Sequence, residues 1–416
     1  MRRADEQVSP PAVVFRPGRG IALARTGDAR ARSEERRVGI VWGLLVVNAL
    51  GYTGLLVHVP SALGKSVTQG ALPLALLLAL TVNRRLVIRP NVFLCLVSLL
   101  AVGAVVTSLQ PQYFGTVYRT FRLIEFVAAL WLLTPFWGRR DMLLVRCHLT
   151  ALTLILGSVV LGILVAPGRA LGSGRLVGAL WDIPATQVGH YAAVTFGLAV
   201  VMWMSGHLRG RITAGIVSAL AVILILTHTR TALIAMIAGL LVAGMSLIVA
   251  RARVRRVFAI AGAVAAVTVM TLSGFLVSWL ARGEGSQELT DLTGRTEVWA
   301  PLLAFPRDRF QEIFGFGLSN DSFDGLPIDS NWLASYDAQG LFGVAICAAM
   351  LIFLLVVAYF QQRGVQRALA LFLVTYCLVA SATEVGFTDA SPYLLELTLA
   401  ASLLVPPARS AGHEIY

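Results

Sequence analysis

Lysine is almost missing from this chain: Lys65 is the only one, and arginine supplies the rest of the 34 basic residues. Charge altogether is scarce, at 13% of residues, where a soluble domain carries about 25%. That shortage excludes an ordinary water-soluble fold. Cysteine is rare too. Cys95, Cys147, Cys347 and Cys377 each lie inside an apolar run, without the spacing of a metal site or a disulfide framework. Asp-x-Asp pairs and clustered His and Cys ligands are absent, so no metal is predicted and no cofactor is called for. Met1–Arg37 is polar and Arg-rich with no early apolar core, which excludes a cleavable signal peptide. The apolar runs do not alternate with polar residues, which excludes a transmembrane β-barrel.

What the chain has in abundance is continuous hydrophobicity. It is 57% apolar over 416 residues, with a mean hydropathy of +0.77. The fold class predicted is an all-α polytopic membrane protein of about 12 transmembrane helices. The spans read are 38–59, 66–82, 91–109, 121–137, 147–166, 186–205, 211–227, 231–250, 257–280, 339–360, 368–383 and 390–406. Residues 1–37 are expected as a disordered basic cytoplasmic tail, 38–280 as a bundle of spans 1–9, and 281–338 as one large extracytoplasmic loop between spans 9 and 10. Residues 339–406 supply spans 10–12, and 407–416 form a second cytoplasmic tail.

The net charge of +12 is not a nucleic-acid signature, because the basic residues punctuate the apolar runs. Arginines at 84, 85, 89, 139, 140, 146, 209, 211, 251, 253, 255, 256, 363 and 367 mark one side, which the positive-inside rule makes cytoplasmic. Both termini lie there too. The other side carries the loop 281–338, which holds ten of the chain's 22 carboxylates and expected short helices around 295–305 and 331–338.

Several arginines fall on that outer side against the charge bias. Arg230 is the most telling. It sits in the nearly continuous apolar run Arg211–Ala250, which is long enough to cross, reverse at Thr227-His228-Thr229-Arg230-Thr231 and cross back. A cation left in hydrocarbon there costs about 2.5–3.5 kcal/mol, so a protein that keeps it usually holds it against an anion. Arg175, before span 6, and Arg295, in Gly294-Arg295-Thr296-Glu297-Val298-Trp299, lie on the same side. Three guanidinium groups converging from distant positions suit a diphosphate, which the planar fork binds bidentately. The plainer readings are interfacial snorkelling or local pairing with Glu297 or Asp182. Arg307 and Arg309 sit among carboxylates and read as local ion pairs. Asp329, in Asp329-Ser330-Asn331-Trp332-Leu333, reads either as a general base or as a helix N-cap. Asn331 reads as a sugar-hydroxyl ligand or a cap. His228 reads as an ionisable substrate contact or as a structural residue. Arg119 and Arg122, with Tyr113, Phe114 and Tyr118, read as an interfacial belt or a lipid-head contact. Glu384 and Asp389 read as solvated, and Glu125 as a buried acid.

At these residues the chain resembles the O-antigen ligase and O-antigen polymerase family of bacterial envelope glycosyltransferases. Leu226–Leu233 is similar to the family's Ser-Arg turn, with Thr229 in place of Ser. Gly294–Trp299 followed by Gly315-Phe316-Gly317 is similar to its outer-loop pattern. Asp329–Leu333 followed by Gly340-Leu341-Phe342-Gly343 is similar to its His-Asn element, except that no His precedes Asn331. The resemblance implies a metal-independent inverting transferase acting on polyprenyl-diphosphate-linked glycans at the outer face of the bacterial cytoplasmic membrane. Arg230 and Arg295 would hold the diphosphate, with Asp329 as the catalytic base. Arg175, His228, Asn331, Trp299, Glu297, Arg119 and Arg122 would line the substrate. The missing His tilts the reading from ligase to polymerase. Its partners would be the lipid-linked oligosaccharide and the bilayer, with a chain-length regulator and a flippase. A ligase moving glycan to a lipid, wall or protein acceptor is the alternative, and a transporter or flippase the third.

Overall fold

The computed structural model describes residues 19–50, 61–110, 116–172, 174–248, 252–260, 262–264, 271, 295–319 and 322–406; within the helices at segment edges, side chains are described from 32, 66 and 298 onward. Helices dominate. In chain order they are α1 Arg19–Asn48, α2 Ser61–Val82, α3 Val92–Ser108, α4 Val117–Leu133, α5 Leu143–Val165, the short α6 Pro167–Ala170, α7 Ala185–Met204, α8 Gly210–Thr227 and α9 Arg230–Ile248. Then follow α10 Arg295–Ala304, α11 Arg309–Phe314, a hairpin of β1 Ser322–Phe323 and β2 Leu326–Pro327, α12 Asn331–Phe360, α13 Val365–Ala380 and α14 Pro392–Leu404.

Helices occupy the expected spans from 66–82 to 231–250 and from 339–360 to 390–406. The first expected span, 38–59, runs partly outside the described residues, as does the ninth, 257–280. α1 begins at Arg19, within the expected tail, of which residues 1–18 lie outside the described residues. Ala, Arg and Glu dominate residues 19–37, and all three favour helix.

α5, α7, α8, α9 and α12 are long and apolar enough to cross a membrane; Ser66–Val82 of α2, with α3, α13 and α14, forms shorter apolar helices. Their outward faces stay apolar. Leu154 is 70% exposed, Leu164 77% and Met245 59%. A water-soluble bundle would place polar residues there. The protein is an all-helical, multi-pass membrane protein.

Inside, the helices pack closely through small residues, since lipid supplies no hydrophobic drive between helices. α13 lies between α7 and α9, and its fully buried Phe372 fills a trough floored by Gly197 and Gly239. A Cβ at Gly239 would stand 2.8 Å from the Phe372 ring, and one at Gly197 would overlap it.

The two ends of the bundle differ. One gathers the arginine-rich turns, joined by Arg253 donating to the Trp203 carbonyl at 3.0 Å, Gly138 N–H donating to the Ser402 carbonyl at 3.0 Å, and Arg139 pairing with Glu35 and Asp141 at 2.7 and 2.8 Å. The opposite end gathers the reversal between α8 and α9, the segment 295–330, and the loop between α13 and α14.

α12 kinks at Gly340, whose φ of 61° and ψ of −158° leave the helical region. Gly315, with φ 75°, lies across it. A Cβ on Gly315 would meet the backbone of Ala338 and Gln339 at 2.5 Å, and one on Gly340 would meet the backbone of Ile313 at 2.5 Å. Phe316 and Gly317 N–H groups donate to the Asp337 and Ala338 carbonyls, both at 2.8 Å. The two glycine patterns seen in the sequence are therefore halves of one interlock. It pins the end of α11 to the start of α12.

Candidate functional site

α8 ends at Thr227, and the chain reverses through only His228 and Thr229 before α9 opens at Arg230. His228 takes the left-handed conformation, φ 50° and ψ 35°, and its N–H donates to the Ile225 carbonyl at 3.2 Å. This conformation is uncommon outside glycine, though His is among the residues enriched in it. Thr229 is buried, and its hydroxyl donates to the Ala185 carbonyl at 3.2 Å. Gly189 on α7 makes room: a Cβ there would stand 2.6 Å from the Thr229 hydroxyl.

Arg175 joins this reversal. Its Nε donates to the Thr227 carbonyl at 3.0 Å, and the adjacent Leu176 N–H donates to the Leu226 carbonyl at 2.8 Å. Both satisfy carbonyls that the end of α8 leaves open. Burial lowers the Arg175 pKa from its ordinary value, and the charge of Glu384 opposes that fall. Arg230 stands at the other side of the turn, at the N-terminus of α9. A cation there is opposed by the helix dipole rather than compensated by it. A cationic residue at the amide end of α9 adds to the positive potential there.

The loop between α13 and α14 links these groups to the rest of the site. The Thr383 and Thr231 hydroxyls lie 2.7 Å apart, so the loop touches the reversal. Asn331, at the start of α12, holds the loop from the other side. Its N–H donates to the Ser381 carbonyl at 3.0 Å, and its Oδ1 accepts from Gly386 N–H at 3.2 Å and Phe387 N–H at 2.8 Å. Asn331 is 1% exposed, so its oxygen is occupied by the loop. Glu384 and Asp389 are half-buried rather than solvated, which corrects the sequence expectation. Asp389 lies 3.6 Å from Arg119. The N-cap of α12 is Ser330, not Asp329, which stands half-buried one residue earlier.

Arg295 opens α10, but its side chain and that of Glu297 lie outside the described residues. Trp299 packs against a small cluster of Val298, Leu302, Ile328 and Ala334, together with Val385 of the α13–α14 loop. Arg307 pairs with Asp337 at 3.0 Å and lies over the rings of Phe316 and Tyr336, as its acidic surroundings suggested.

Arg119 and Arg122 open α4 at the same end. Arg122 donates to the Asn48 side-chain oxygen at 2.9 Å and to its carbonyl at 3.3 Å. With Asp389, Gln187 and Ser391 they line a cavity of about 470 Å³. The structure therefore places Arg175, Arg230 and Asn331 around one loop, and Arg119 and Arg122 beyond it. Asn48 and Gln187 escaped the sequence reading, and Glu384 and Asp389 were noticed but read as solvated. For the two acids, their place in a turn facing the outer arginines was the available signal.

Deeper in the bundle, Glu396 of α14 is fully buried, with Oε1 2.9 Å from His190 Nε2; His190 Nδ1 lies 3.0 Å from the Tyr376 hydroxyl. The sequence reading singled out only Glu125 as a buried acid; it is 8% exposed. Among the described residues, no three His, Cys, Asp or Glu side chains gather as metal ligands do.

Residues 214–340 match the family model described as O-Antigen ligase, which supports the O-antigen ligase and polymerase family. The match spans the reversal with Arg230, the start of α10, Asp329, Asn331 and the glycine interlock up to Gly340. Arg175, Arg119, Arg122 and the α13–α14 loop lie outside it. No curated protein matches the chain.

Proposed function

On the premise that residues 214–340 match the O-antigen ligase family, we propose that this protein is a polymerase-type glycosyltransferase joining polyprenyl-diphosphate-linked oligosaccharides. The observation that carries the reading is Arg175 and Arg230 flanking one two-residue reversal at the end of the bundle opposite the arginine-rich turns. In this reading an acceptor sugar hydroxyl attacks the anomeric carbon of the donor with inversion. The bond from that carbon to the diphosphate oxygen breaks, and the diphosphate leaves as an anion held by Arg230, Arg175 and Arg295. Asp329 takes the hydroxyl proton. His228 and Glu297 stand beside these arginines in the sequence and contact the donor's phosphates or first sugar. Arginines supply the electrostatic stabilisation that other transferases draw from a metal ion. The site faces the outer side of the bacterial cytoplasmic membrane, with twelve spans, both termini cytoplasmic, and the 281–338 segment covering the donor. A flippase delivering the donor and a chain-length regulator are the partners this assignment calls for.

The test is turnover in vitro. Purified protein receives a short polyprenyl-diphosphate oligosaccharide from its host, with EDTA present. A ladder of elongated products that persists in EDTA and disappears in Arg230→Ala supports the proposal; an unchanged ladder in that variant overturns the arginine assignment.

The ligase reading keeps one specific support, the description of the matched family. It predicts that a deletion strain makes polymer of normal length that is detached from its anchor.

A further inference from the structure

The cavity of about 470 Å³ is lined on one side by the α13–α14 loop, whose Thr383 meets the reversal at Thr231. Its size is that of a small-molecule site. Its walls come from five elements: Asn48 at the end of α1, Thr68 and Gln69 on α2, Arg119 and Arg122 on α4, Gln187 on α7, and the loop itself. The lining sets amide, hydroxyl and charged groups among apolar residues such as Leu50, Val385 and Pro392.

Among the described residues, two buried donors there have no hydrogen-bond partner. Asn48 is 2% exposed. Its Oδ1 accepts from Arg122, so the orientation of the amide is fixed, and its Nδ2 is buried with no hydrogen bond. Arg122 Nε is likewise buried without one. Buried donors left unpaired cost about 1–3 kcal/mol each, and native proteins rarely keep them without a reason. Both require acceptor oxygens. The charges are partly offset: Arg119 has Asp389 at 3.6 Å, and the Arg122 guanidinium donates to both Asn48 oxygens. The cavity thus offers donors and a carboxylate acceptor together, which a hydroxyl-bearing ligand matches on both counts and a bare anion on only one. Asp389 and the Ser391 hydroxyl offer acceptors on the opposite wall.

We infer that this cavity binds a neutral, hydroxyl-bearing sugar residue. Sugar hydroxyls accept from Asn48 Nδ2 and Arg122 Nε and donate to Asp389. Resting on the function proposed above, the bound residue is the acceptor end of the glycan. The loop 383–391 then separates an acceptor pocket from the diphosphate side, and its clamp at Asn331 fixes the distance between them.

The test measures binding rather than turnover. Wild-type protein in nanodiscs is dialysed against a lipid-free, phosphate-free neutral oligosaccharide released from the host's own surface polysaccharide. Wild type binds; Asn48→Leu and Arg122→Lys, each checked for an unchanged melting midpoint, bind at least tenfold more weakly. Saturating inorganic pyrophosphate does not displace the sugar. No binding by wild type, full binding by both variants, or displacement by pyrophosphate would each overturn the inference; the last would make the cavity an anion site. Failure of the arginine-assisted transfer reading shows separately, as an undiminished product ladder in Arg230→Ala, and leaves the dialysis result standing.

Discussion

Arg230 was conspicuous in the sequence because it is the charged residue that interrupts a run long enough to cross the membrane and return. If it holds a diphosphate as proposed, lysine is expected to replace it poorly. A planar fork directed at two phosphate oxygens is worth more than a point charge. Arg230→Ala is expected to lower turnover about 10²–10³-fold, the range seen when one transition-state donor is removed, while Arg230→Lys retains part of it. Product-ladder rates on matched protein amounts read both. Asn331 belongs to the same scale with a different outcome. Its Oδ1 accepts from two backbone N–H groups in the α13–α14 loop, so Asn331→Ala strands buried donors. We expect a stability loss of about 1–3 kcal/mol, visible as a lower melting midpoint in detergent, together with reduced turnover. A normal melting midpoint in that variant would refute the clamp. These partners were not legible in the sequence. Asn331 lies some fifty residues from Gly386, and a side chain's contacts across that distance are set by packing, not by local pattern.

The helices, by contrast, were legible. Bilayer thickness sets the length of each apolar run, and the turns between runs carry arginine, so spans such as 147–166 and 211–227 fall within a few residues of α5 and α8. What the runs conceal is irregularity within an element. The sequence showed glycines at 315, 317 and 340 but not that two of them cross, backbone against backbone. Gly340→Ala is expected to cost at least about 1–3 kcal/mol, because its Cβ would meet Ile313 backbone at 2.5 Å and its φ is 61°. Thermal unfolding measures the cost, and an unperturbed midpoint would mean that the two chains separate freely. The same method tests the small-residue seam: Gly239→Leu drives a side chain into Phe372 and should destabilise the contact of α9 with α13 by a comparable amount.

At the scale of the whole molecule, the sorting of arginines bears on the orientation that the proposed transfer requires. The turns holding Arg85 and Arg363 lie at one end; Leu171 and Ala304 lie toward the other, where Arg175 and Arg230 flank the reversal. If positive charge stays cytoplasmic, a lipid-linked donor reaches those arginines only from the outer side. The four native cysteines sit within helices or their immediate packing, so a cysteine-free background is attainable by alanine replacement. In that background Leu171→Cys and Ala304→Cys should react with a membrane-impermeant thiol reagent in intact spheroplasts. Arg85→Cys and Arg363→Cys should react only after permeabilisation. The reverse pattern would turn Arg230 toward the cytoplasm. Transfer at the outer face would then be untenable, and the acceptor pocket beside the α13–α14 loop would have to meet its sugar inside the cell.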